Sequence, residues 1–150
     1  MGVKGKLVRG ALALSVGGGT LALGASPAGA FESYSQSATF EHTFTNSAGQ
    51  TVVCPVQFSS DLTRFSSDQP FFGTAFTGSN VDDPACDAFV AVQVSFTDPG
   101  GRPENAFADS FTGDVFMGVD DVGSGFVAQH HVEFLDCSGN CFVTYRTQPK

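Results

Sequence analysis

The segment Leu135-Asp136-Cys137-Ser138-Gly139-Asn140-Cys141-Phe142 holds two of the chain's four cysteines. Such a pair could ligate zinc together with His130 or His131, cycle as a dithiol, or close as a disulfide. A thioredoxin-like redox pair needs two intervening residues and a helix start after the second cysteine; neither is present. Thiolates for zinc would have to stay reduced, which an exported chain does not favour. The flanks read as strands, and Ser138-Gly139-Asn140 makes a three-residue loop with Gly and Asn available for positive φ. The pattern therefore predicts a Cys137–Cys141 staple across a hairpin, and by elimination a Cys54–Cys86 bridge.

The other reactive side chains sort by strand alternation. His42 shares phase with Phe40 and Phe44, and His130 with Phe126, Ala128, Val132 and Phe134, so both are expected to face the core. His131 shares phase with Gln129 and Glu133 and should face out. Two inward histidines and a serine could build a non-standard hydrolytic site; the competing reading is two core histidines held by hydroxyl or backbone partners. Gly123-Ser124-Gly125 lacks the strand-to-helix elbow of a serine nucleophile. Glu41 and Glu133 lie on polar faces that would not raise a carboxyl pKa for glycoside chemistry. Asp82, Asp83 and Asp87, and Asp114, Asp120 and Asp121, match no calcium-loop order and read as solvated turn acids. No residue set predicts a resident metal or cofactor.

Phenylalanine is the unusual component. The chain has sixteen, all after residue 30, with no tryptophan and two tyrosines. Phe71 and Phe72 are adjacent, so in a strand they face opposite ways. Either both faces are covered, or an apolar cleft is exposed. Phe71, Phe72 and Phe76, with His42 and His130, are the candidate ligand-binding residues. Few tyrosines and no tryptophan make a sugar platform a poor fit.

These residues need a frame. Lys4, Lys6 and Arg9, the small apolar run Ala11 to Ala25, and Ala28-Gly29-Ala30 read as a secretory signal peptide over residues 1–30. The run is too short and too glycine-broken for a membrane span. Cleavage removes three of the seven Lys and Arg residues and leaves all fifteen acids, a formal charge of −11 on the mature chain. That charge repels phosphate backbones and anionic lipid heads, so no nucleic acid and no membrane partner is expected after cleavage.

Residues 31–150 have the length of one domain, rich in Val, Phe, Thr and Ser, which suits strands. Period-two runs are expected at about 35–45, 51–58, 71–77, 87–97, 106–119 (one strand or two), 126–136 and 142–146. Residues 59–70 read as a polar loop. Pro55 cannot donate to a ladder and should sit at an edge or a bulge. The fold class is all-β: an antiparallel β-sandwich or barrel of about seven strands with two disulfides. The expected function is a secreted, non-enzymatic binding domain for a small apolar ligand or a protein partner. A secreted protease inhibitor, using Cys54-Pro55 or the Ser138–Asn140 loop, and a hydrolase built on His42, His130 and a serine are the alternatives.

Overall fold

The computed structural model describes residues 31–80 and 82–150, so the leader expected over residues 1–30 lies outside the described residues. Eight strands follow in chain order: β1 (Glu32–Thr45), β2 (Thr51–Arg64), β3 (Phe71–Ser79), β4 (Ala88–Thr97), β5 (Pro103–Ser110), β6 (Asp114–Val122), β7 (Ser124–Phe134) and β8 (Phe142–Thr147). A 3-10 turn, Pro84–Cys86, precedes β4, with the Asp83 carboxylate capping it at Ala85 N. The strands form two antiparallel four-stranded sheets, ordered β1-β2-β3-β6 (sheet A) and β5-β4-β7-β8 (sheet B). The architecture is a sandwich, with the chain changing sheets between β3 and β4, β5 and β6, and β6 and β7.

Alternation explains the layers. In β4, Val90, Val92 and Val94 are buried between the sheets while Gln93 and Ser95 face solvent. β7 does the same with Phe126, Ala128, Val132 and Phe134. The expected run over 106–119 is in fact parts of two strands in different sheets, β5 and β6, split by a turn in which Gly113 takes φ 91°. That split accounts for the eighth strand. Residues 59–64, expected as loop, continue β2: Ser60 and Leu62 stay in the inward phase of Val56 and Phe58. Polar side chains on the alternate positions masked that strand, because Ser and Asp are usually turn formers. β7 ends at Phe134, two residues earlier than expected, because Leu135 N donates to Asp87 O and the chain turns away.

Pro55 lies in an interior strand, paired with Glu41. Asn46 N donates to Gln50 O across the β1–β2 turn. The register is unshifted, so even-numbered β1 residues bond to β2, and Glu41 and Pro55 form a non-bonded pair. The missing Pro55 N–H therefore faces β3, whose ladder stops one residue earlier at Val56–Ser79. No ladder bond is lost.

Both disulfides form as expected, Cys54–Cys86 with Cα atoms 5.7 Å apart and Cys137–Cys141 at 5.6 Å. The first ties β2 of sheet A to the turn before β4 of sheet B. The second closes the loop between β7 and β8, where Asn140 takes positive φ (62°).

The sheets approach closely at Gly73. A Cβ there would lie 2.5 Å from Cε2 of Phe126, whose ring is buried in the facing sheet. Gly73→Ala is expected to cost about 1–3 kcal/mol through overpacking. Chemical denaturation would read it as a lower midpoint at unchanged slope.

Candidate functional site

The core divides into two apolar clusters. One gathers Leu62, Phe71, Val92, Val94, Met117, Val119 and Phe126; the other gathers Phe44, Val56, Phe58, Val90, Val132, Phe134 and the Cys54–Cys86 bridge. A buried polar seam lies where they meet. His130 is 1 % exposed, and Ser60, Thr77 and Thr147 are fully buried. Ser60 Oγ donates to Thr147 Oγ1 at 2.6 Å. Thr147 Oγ1 lies 2.8 Å from His130 Nε2, and Thr77 Oγ1 lies 2.8 Å from His130 Nδ1. With Ser60 donating, the Thr147 hydroxyl proton is free to point at Nε2, which leaves Nδ1–H to donate to Thr77. The chain joins β2, β8, β7 and β3, and so crosses between the sheets.

This seam holds a neutral imidazole. Burial lowers the His130 pKa from 6.5 to about 4, opposed by a hydrogen bond to the Phe76 carbonyl. Both ring nitrogens are engaged by hydroxyls, and the Phe58 ring packs 5.3 Å away. The arrangement satisfies a buried polar group inside an apolar core.

His42 is held elsewhere. It is half-buried, its Nε2 is 2.7 Å from Asn140 O, and its ring stacks on Phe134 at 5.6 Å. Its partners and those of His130 do not overlap. The cysteine loop reaches it by folding down onto the end of β1: Thr45 N donates to Gly139 O, Ser138 N donates to Thr45 O, and Asn140 Nδ2 donates to Thr43 O. Ser47 donates from its backbone and its hydroxyl to Asp136, and these donors hold the Asp136 carboxyl below its ordinary pKa.

The three phenylalanines singled out from the sequence are also dispersed. Phe71 is buried in the core beneath the Arg64 guanidinium, 4.5 Å from its centroid. Phe72 and Phe76 are half-buried on the outer face of sheet A, where Phe76 pairs with Phe116 and covers Gly78. On the same face Asp61 accepts from Ser35 Oγ and Thr74 Oγ1; burial raises its pKa, and the two hydroxyls pull the other way. The five candidate residues thus occupy separate places rather than one cleft.

Most of the phenylalanine excess sits outside the core. Five of the sixteen rings are buried, four are exposed and seven are half-buried. On the outer face of sheet B some of them line up. Phe111, Phe89, His131 and Phe142 form a row of touching rings, with successive centroids 4.8, 6.2 and 5.7 Å apart. The row starts just past β5 and crosses β4, β7 and β8. Its end rings are 67 % (Phe111) and 58 % (Phe142) exposed. Glu133 lies 3.8 Å from His131 within it. Asp109, in register with Ala91 beside His131, has a buried Oδ2 without a hydrogen-bond partner among the described residues. The sequence carried a signal for this row: Phe89 shares phase with Gln93, and Phe142 with Thr144 and Arg146, so aromatic rings stand on polar faces.

Among the described residues, no three His, Cys, Asp or Glu side chains gather in metal-ligating range, and no helix is long and apolar enough to cross a membrane. The chain matches no family model, no curated protein and no solved structure.

Proposed function

We propose that the protein is a secreted, non-enzymatic interaction domain that meets a protein partner through the Phe111–Phe89–His131–Phe142 row. The observation that carries this reading is a contiguous aromatic stripe across the four-stranded outer face of sheet B. Exposed apolar patches of this kind mark interaction sites, and aromatic residues are enriched at the centre of protein interfaces. The rings lie on a sheet face, which suits an extended surface better than an enclosed small molecule. Glu133 and Asp109 beside the row, in a chain with fifteen acids and seven Lys and Arg residues, favour a partner with a basic rim. Export is supported by the leader pattern Lys4, Lys6, Arg9 and Ala28-Gly29-Ala30, and two disulfides are compatible with an oxidising compartment.

The alternatives have less behind them. A hydrolase needs a histidine that a substrate can reach, and His130 is 1 % exposed with both nitrogens engaged. An inhibitor needs a projecting loop. Cys54-Pro55 is mid-strand, and Ser138–Asn140 is bonded down onto β1.

The double substitution Phe111→Ser/Phe142→Ser tests the reading. Both rings are exposed, so stability should change by no more than about 0.5 kcal/mol. Proteins recovered from the host's culture fluid on immobilised wild type should be lost on the variant. Recovery of the same proteins by both, or of none by either, overturns the proposal.

A further inference from the structure

A sandwich has four edge strands, and an unprotected edge is a template for pairing. Three edges here carry protection. β5 begins with Pro103 and carries Glu104 and Asp109; β6 carries Asp114 and Asp121 and has an irregular register against β3; β8 is six residues long. β1 is different. It too carries two acids, Glu32 and Glu41, but it is fourteen residues long, its register is unshifted throughout, and it contains no Lys, Arg, Pro or Gly.

The direction of its free backbone groups follows from bonds already described. Thr45 uses its N–H and C=O on the cysteine loop, away from β2. Every second residue does the same in an unshifted strand. Ser33, Ser35, Ser37, Thr39 and Glu41 therefore point N–H and C=O outward, and these groups have no partner among the described residues. The loop closes the edge only at its far end, through Thr43 O and Thr45. The C-terminal tail approaches β1 through the Gln36 side chain and not through its backbone.

We infer that this edge pairs with the same edge of a second copy of the chain, joining two A sheets into one eight-stranded sheet. The open span is centred on Ser37, so a two-fold antiparallel pairing about Ser37 uses all five outward residues. In that register Ser37 faces Ser37, Ser35 faces Thr39, and Ser33 faces Glu41. On the other face Tyr34 meets Phe40, which is 38 % exposed in the single chain. No like charges are opposed, hydroxyls line one face, and an aromatic pair forms twice on the other; each of these stabilises cross-strand contact. The cysteine loops lie beyond both ends of the paired span. The sequence of β1 thus suits its own reverse, which is the condition for an isologous interface. This surface is separate from the aromatic row on sheet B.

Sedimentation of the purified, oxidised protein across a concentration series tests the inference. Wild type should shift from one chain mass to two. Ser37→Lys opposes two like charges at the centre while touching no bond to β2, so it should remain a single chain with an unchanged melting temperature. Register is tested by single cysteine variants under mild oxidation. Ser37→Cys should cross-link two copies, whereas Ser35→Cys should not, since each faces Thr39 of the other copy. A wild type that stays a single chain at all concentrations, a dimer that survives Ser37→Lys, co-purification with a different polypeptide on this edge, or equal cross-linking by both cysteine variants overturns it.

Discussion

Removing the Cys54–Cys86 bridge by the double substitution to alanine is expected to destabilise the protein by about 4 kcal/mol. The bridge spans 32 residues, and closing a loop of that length removes roughly this much conformational freedom from the unfolded chain. Cys54 and Cys86 are also buried, so truncation leaves unfilled space that adds to the loss. Total stabilities of roughly 5–15 kcal/mol make this a large fraction, and the melting temperature should fall by roughly 15 °C. The same treatment of Cys137 and Cys141, four residues apart, should cost about 2 kcal/mol. Urea unfolding of both variants against wild type separates the two. A larger loss from the short loop than from the long one would show that native contacts of the Ser138–Asn140 cap, rather than loop closure, dominate.

The second large effect is acid sensitivity through His130. Its pKa is 6.5 ordinarily and about 4 in the folded protein, chiefly because burial disfavours the imidazolium. Above pH 6.5 both folded and unfolded chains hold it neutral, and its contribution is complete. As pH falls from 6.5 towards 4, the unfolded chain binds a proton that the folded chain refuses, so stability declines. The decline from this group amounts to roughly 3 kcal/mol and flattens below about pH 4, where the folded protein also protonates. Asp61 works the opposite way, since burial raises its carboxyl: the folded chain takes that proton first, and stability gains slightly on acidification. Asp98 is held low by the Arg102 backbone N–H and guanidinium, and Asp136 by Ser47; both add to the loss only as pH falls through the carboxylate range. His130→Gln should therefore be less stable than wild type at pH 7.5, because its amide fits the Thr77–Thr147 gap imperfectly, yet show a much shallower slope between pH 6.5 and 4.5. Equal slopes in the two proteins would remove His130 as the origin.

Where alternation is clean, the fold is legible in the sequence. β4 and β7 carry uninterrupted inward rows, and the inward placement of His130 and the outward placement of His131 follow from that phase alone. Both cysteine pairings were legible because an even count in a strand-rich chain leaves few options. β2 was half lost because Ser60 occupies an inward position, and a buried serine is intelligible only once Thr147, 87 residues away, is known to accept from it. His42 lies shallower than its phase predicts for a related reason. Its phase is inward, but β1 is an edge, and what covers it is a loop from the far end of the chain. The alignment of Phe89, Phe111, His131 and Phe142 into one row was not legible, since period two assigns a face without saying what packs on it.

The contact between Thr45 and the cysteine loop has a consequence in time. Ser138 and Thr45 are 93 residues apart in sequence. A chain emerging N-terminus first completes the β1–β2 hairpin long before the residues that cap its end exist. Local hairpins form in microseconds, but this closure must wait for nearly the whole chain and for a small ring of five residues to adopt its shape. The last hairpin made is thus the latch on the first, and until it engages, the fourteen-residue β1 is open along its entire outer side.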